Sequence, residues 1–144
     1  MQEYIEFFQQ NMILSLAWIG ILVALIASIY KSATAAYQEV TATQATHLIN
    51  RENGIVVDIR SKDEFKQGHI TDAIHILPSD IKAGNLAGLE SHKSSPIIVV
   101  CKTGQTARES ADLLTKAGFE KVNLLKNGLI AWNEANLPLV RGKR

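Results

Sequence analysis

Residues 96–106 read PIIVVCKTGQT: a proline, an unbroken apolar run closed by a cysteine, a turn with Gly104 in it, and a threonine from which helical spacing begins. Branched side chains lose rotamer freedom in a helix and pack well on a pleated surface, so IIVVC at 97–101 predicts a strand. The run has no polar alternation, so both of its faces are buried, as in parallel sheets with helices on either side. Parallel neighbours need long crossover connections, and these are expected on both sides of this strand.

Downstream, a helix is expected from Thr106 to Lys116 with Ala107, Ala111 and Leu114 inward and Gly118 as its C-cap. Residues 122–125 form a last strand and 128–134 a last helix carrying Trp132. Upstream, a short strand ends at Val40. TATQ at 41–44 is a capping box that opens a helix to about Arg51, with Ala45, Leu48 and Ile49 apolar. IVVDI at 55–59 is a second buried strand, and SKDE at 61–64 a second capping box whose helix stops at Gly68. Residues 73–77 make a third strand, and 78–95 a polar connection with one or two short helical turns. Alternating strands and helices imply an α/β fold, a mostly parallel sheet with helices on both faces.

The chain has 144 residues, 47% of them hydrophobic and 20% charged, which suits a folded protein with a sizeable core. One cysteine, Cys101, rules out a disulfide framework, a thiolate-rich zinc site and a Cys-x-x-Cys pair. A net charge of +1, with no basic run longer than the C-terminal residues 141–144, argues against nucleic acid as a partner.

All 15 Lys and Arg residues lie beyond residue 30, and the first 30 residues carry only Glu3 and Glu6. Residues 11–30 hold no charge, and 20 helical residues span about 30 Å, the thickness of a bilayer core. The organisation expected is therefore an N-terminal flank (1–10), one transmembrane helix (11–30), a linker (31–36) and a C-terminal domain (37–144). A buried core helix would keep a polar stripe, which this segment lacks. A cleaved signal peptide is the other alternative, because Ala33-Thr34-Ala35 resembles a cleavage site. The acidic flank and the length of the apolar run favour an uncleaved anchor. No Lys or Arg precedes the span and Lys31 follows it, which places the C-terminal domain in the cytoplasm. Gly20, Ala24 and Ser28 recur every fourth residue, a small-residue face suited to a second helix, whether of another membrane protein or of a second copy. Small residues are also simply common in membrane helices.

Cys101 ends its strand immediately before a helix N-terminus, where ligands bind in open α/β sheets. Gly104 allows tight curvature, so the amides of residues 102–106 can converge on the sulfur and favour an anion there. The opposing reading is inert packing, since free cysteine is among the most buried residue types. An inert cysteine needs no glycine turn after it, which favours nucleophilic chemistry.

VDIR at 57–60, Glu64-Phe65, Gly68-His69-Ile70, CKTG at 101–104, and Gly128 followed by Trp132 together resemble the rhodanese-homology family in its single-domain form, over about residues 38–140. With its N-terminal helix, the whole chain resembles the membrane-anchored rhodanese-like proteins of proteobacteria. The resemblance implies a five-stranded parallel sheet, an inner-membrane location and a sulfurtransferase. Cys101 would be the catalytic residue, carrying sulfane sulfur as a persulfide between thiosulfate, or a persulfide donor, and a thiol-type acceptor. Donor and acceptor are small molecules or proteins. Lys102, Thr103, Gly104, Gln105 and Thr106 would form the substrate loop, and no cofactor or metal is implied.

The family often places Arg where this chain has Thr106, so Lys102 is the expected source of positive charge. A Cys-x5-Arg phosphatase loop would need Arg where Ala107 stands. Asp58, Arg60 and Glu64 are expected as an ion-pair network, supporting either the loop or a helix. His47, His69, His75 and His92 show no metal-ligand spacing, and Trp132 is expected in the core. The alternative function is a non-catalytic docking module for a membrane or cytoplasmic protein, because a fold alone does not imply an activity.

Overall fold

The computed structural model describes residues 1–33, 37–86, 88–104 and 106–142, with backbone alone for 31–33. It comprises two compact units, Met1–Ala35 and Ala36–Arg144.

The first unit holds α1 (Gln2–Gln10) and α2 (Met12–Ala33). Within α2, Met12–Tyr30 is long and apolar enough to cross a membrane, and none of it is buried against the rest of the chain. Gln2–Gln10 of the expected flank are helical, and α2 continues through Ala33 into the expected 31–36 linker; residues 34–36 lie outside the described residues. Lys and Ala favour helix, so the apolar-to-polar change at Lys31 does not end it.

The second unit runs β1 (Gln38–Val40), α3 (Ala42–Arg51), β2 (Ile55–Asp58), α4 (Lys62–Gln67), β3 (Ile74–His75), α5 (Pro78–Lys82), a 3-10 turn (Glu90–His92), β4 (Pro96–Val100), α6 (Ala107–Lys116), β5 (Lys121–Leu125) and α7 (Gly128–Glu134). The five strands form one sheet in the order β1-β5-β4-β2-β3, every pair parallel. Both capping boxes form. Thr41 Oγ1 accepts from the Gln44 N–H at 3.2 Å, Gln44 Oε1 accepts from the Thr41 N–H at 2.9 Å, and Ser61 and Glu64 exchange the same pair of bonds.

Alternation along the strands splits the core in two. Val57, Ile97, Val99 and Leu124 pack on one face with Ala107, Ala111 and Leu114 of α6; Val56, Ile98, Val100 and Leu125 pack on the other with Ala45, Phe65 and Trp132. All five β4 residues are buried, and each fully buried aliphatic side chain among them contributes about 1.5–3 kcal/mol. The third strand is shorter than the 73–77 expected. Asp72 takes a positive φ of 61°, the Ala73 N–H turns back to the Ile70 carbonyl, and Leu77 already caps α5 with Pro78 in its first turn.

This topology fixes where a ligand site forms. β2 leads through α4, on one face, outward to β3, whereas β4 leads through α6, on the opposite face, outward to β5. The two chains diverge between the carboxyl ends of β2 and β4, and such a switch point opens a crevice there.

Candidate active site

Cys101 follows the last residue of β4, at that crevice, and is only 2% exposed. Its side chain continues the alternation of Ile97 and Val99, so the sulfur lies on the α6 face. The chain then turns back on itself. Gly104 has φ +89°, in the region glycine tolerates, and its N–H donates to Cys101 Sγ at 2.7 Å. A backbone amide aimed at sulfur is a fixed hydrogen-bond donor for the sulfur and whatever it carries.

A second strand-to-helix turn clamps the loop. The Leu129 N–H donates to the Cys101 carbonyl at 2.9 Å, and Asn127 and Gly128 both hold positive φ, 59° and 55°. A Cβ on Gly128 would overlap the Cys101 carbonyl oxygen and stand 2.7 Å from the carbonyl carbon and oxygen of Lys102. A Cβ on Gly104 would lie 3.3 Å from the Asn127 nitrogen. Loop and turn therefore meet glycine against backbone. Asn127 and Gly128 are site-building residues that the sequence reading did not single out for this role. The Asn-Gly dipeptide, which signals two successive positive φ angles, could have found them.

Among the expected substrate-loop residues, Lys102, Thr103 and Thr106 are exposed, Gly104 is buried, and Gln105 lies outside the described residues. Thr106 is the N-cap residue of α6, and its hydroxyl makes no capping hydrogen bond. Arg108, the nearest guanidinium along the helix, reaches Glu39 on β1 at 3.5 Å.

Asp58, Arg60 and Glu64 do not form a single network. Arg60 pairs with Asp58 through Nη2 to Oδ2 at 2.7 Å, and its Nε donates to both carboxylate oxygens at 3.0 and 3.1 Å. Arg60 Nη2 also donates to the Gly68 carbonyl at 2.7 Å. The pair thus ties the end of β2 to the end of α4. By strand alternation Asp58 follows Val56, on the face opposite Cys101. Glu64 stays outside, because its carboxylate accepts from the Ser61 N–H at 3.2 Å and from Ser61 Oγ at 2.9 Å. These Ser61 bonds, and then the charges of Arg60 and Lys102, outweigh desolvation and hold Glu64 below its ordinary value.

His69 and His75 serve packing. His75 Nε2 donates to the Arg60 carbonyl at 2.6 Å, His69 Nδ1 donates to the Phe65 carbonyl at 2.8 Å, and both rings lie against Phe65. Trp132 is buried in the α7 face of the core, its Nε1 donating to the Pro138 carbonyl at 3.1 Å. A groove of about 830 Å³ beside α4, lined by Lys62, Lys66, Asp72 and Arg141 among others, includes no described residue of the 101–106 loop. On α2, Gly20, Ala24 and Ser28 are exposed, and a Cβ added at Gly20 would have no neighbour within 4 Å.

Residues 41–135 match the rhodanese-like domain family. The chain is 49% identical over 143 residues to the uncharacterized protein YibN of Escherichia coli K12, covering 99% of this chain and all of that one. It is 30% identical over 103 residues to the thiosulfate sulfurtransferase GlpE of Actinobacillus pleuropneumoniae, covering 72% of this chain and 93% of the relative. Among solved structures, a rhodanese-related protein from Thermoplasma volcanium superposes with a TM-score of 0.63 at 22% identity, over 74% of this chain and all of that one. The family match and near full-length relatedness to YibN converge with the sheet and its cysteine loop, and the chain belongs to the rhodanese-like domain family.

Proposed function

We propose that this chain is a membrane-tethered sulfurtransferase that works through a persulfide on Cys101. The family and the named sulfurtransferase relatives support a function of the sulfurtransferase type. The observation that carries the finer reading is the Gly104 N–H aimed at the buried Cys101 sulfur at 2.7 Å. With thiosulfate as donor, the Cys101 thiolate attacks the outer sulfur, an S–S bond forms, and the bond to the sulfite group breaks with its electron pair leaving on sulfite. An acceptor thiolate then attacks the outer sulfur of the persulfide, takes it as a new persulfide, and returns the Cys101 thiolate. Cys101 Sγ carries the negative charge before the first step and regains it after the second, and a fixed amide donor serves it at both points without reorganising. Lys102 and the Thr106 hydroxyl stand at the exposed rim to meet an anionic donor. Met12–Tyr30 is the single-pass anchor, holding the domain at the cytoplasmic side of the inner membrane.

Mass spectrometry of the full chain in detergent, after incubation with thiosulfate or a small persulfide, tests this reading. A gain of one sulfur on the Cys101 peptide, absent from Cys101→Ser, is expected. No gain from either donor would overturn it and favour the docking-module reading, for which the uncharged Thr106 side chain at the loop speaks.

A further inference from the structure

Every residue of α1 is exposed, yet its side chains are sorted. At about 100° per residue, Tyr4, Ile5, Phe7 and Phe8 fall within one arc of about 160°, and Gln2, Glu3, Glu6, Gln9 and Gln10 within an opposing arc of about 120°. One residue separates this helix from the span. Asn11 leaves the helical course, with φ −119° and ψ 43°, and both its N–H and its side-chain amide donate to the Phe7 carbonyl, at 3.1 and 3.2 Å. Its own carbonyl accepts from the Ser15 N–H of α2 at 2.9 Å. The end of α1 is therefore fixed at the mouth of the apolar segment, and with that segment across a bilayer the three aromatic rings would start from the level where acyl chains give way to headgroups.

From this juxtaposition we infer that α1 is an interfacial helix. It lies in the headgroup layer of the leaflet that α2 enters, with Tyr4, Ile5, Phe7 and Phe8 toward the acyl chains and Glu3 and Glu6 toward water. The inference rests on the anchor reading of Met12–Tyr30. Lipid is the occupant because the apolar arc is continuous with the span through a single residue. The helix has no Lys or Arg, so its insertion draws on apolar burial and not on anionic lipid.

The test uses the full chain carrying Cys101→Ser, reconstituted in phosphatidylcholine vesicles with or without phosphatidylglycerol. Spin labels are placed singly through Glu6→Cys, Phe8→Cys, Ile5→Cys, Gln9→Cys and Gly20→Cys, and accessibility to oxygen and to a water-soluble nickel chelate is read by paramagnetic resonance. Labels at positions 5 and 8 should show an oxygen-to-nickel ratio at least about tenfold above those at 6 and 9, unchanged by phosphatidylglycerol. Position 20 should be deep in lipid. Nickel exposure at 5, 6, 8 and 9 alike, with position 20 still deep, would overturn the inference and leave the anchor standing. Shielding of positions 5 and 8 from oxygen and nickel together would overturn it in favour of a protein partner or second copy. Nickel exposure at position 20 would overturn both.

Discussion

Ser61 is the main reason Glu64 remains ionised below the ordinary carboxylate value of 4.5, with Arg60 and Lys102 adding their charges. A lowered value means that the stability Glu64 contributes is present above 4.5 and is lost as the pH falls through its folded value. Glu64→Gln keeps a capping partner for Ser61 and should flatten the acid limb of a denaturation profile, by a small amount because the group is partly exposed. The same pair bears on anion affinity. Lys102→Ala should raise the thiosulfate KM about three- to tenfold, the loss of one screened charge, while Glu64→Gln should lower it. Thr106→Arg should also lower it, since a guanidinium holds an oxyanion through two donors. Steady-state kinetics on the three variants checks the signs, and unchanged KM in all three would mean that the donor is not recognised as an anion. Asp58 is different in kind. Asp58→Ala leaves the 10% exposed Arg60 side chain with an uncompensated charge and should cost about 3–5 kcal/mol in chemical denaturation.

The two strand-to-helix turns that build the site meet through glycine. Gly128→Ala forces a Cβ into the Cys101 and Lys102 backbone, so sulfur loading of Cys101 should fall at least about tenfold even where the fold survives. Loading at the native level would show that the clamp is dispensable. This arrangement also shows what the linear sequence carried. Cys101, Gly104 and the helix after them are read from one continuous stretch, because a strand, its turn and the next helix are local. The clamp by residues 127–129 joins segments more than twenty residues apart and had no local signal beyond the Asn-Gly pair. The expected network of Asp58, Arg60 and Glu64 separated because a capping box consumed Glu64, a competition among neighbours that spacing does not rank. The third strand is shorter than its apolar pattern, because Ala73 turns back to Ile70 and Leu77 serves as a cap.

A reporter fused after Arg144 should signal the cytoplasm, with the chain recovered intact from the membrane fraction. Cleavage near residue 35 would instead make the N-terminal segment a signal peptide, and an intact chain with an external reporter would reverse the orientation. The candidate span is legible from its lack of charge, whereas α1 is not, because nine residues of mixed composition offer little for a window to average. The sheet ends on one side in the three residues of β1 and on the other in the two residues of β3. A tether confines copies of a domain to a plane, where neighbours meet side-on far more often than they would in free solution. With the proposed anchor in place, such abbreviated rims would offer few unpaired peptide groups for annealing between neighbours crowded along the bilayer.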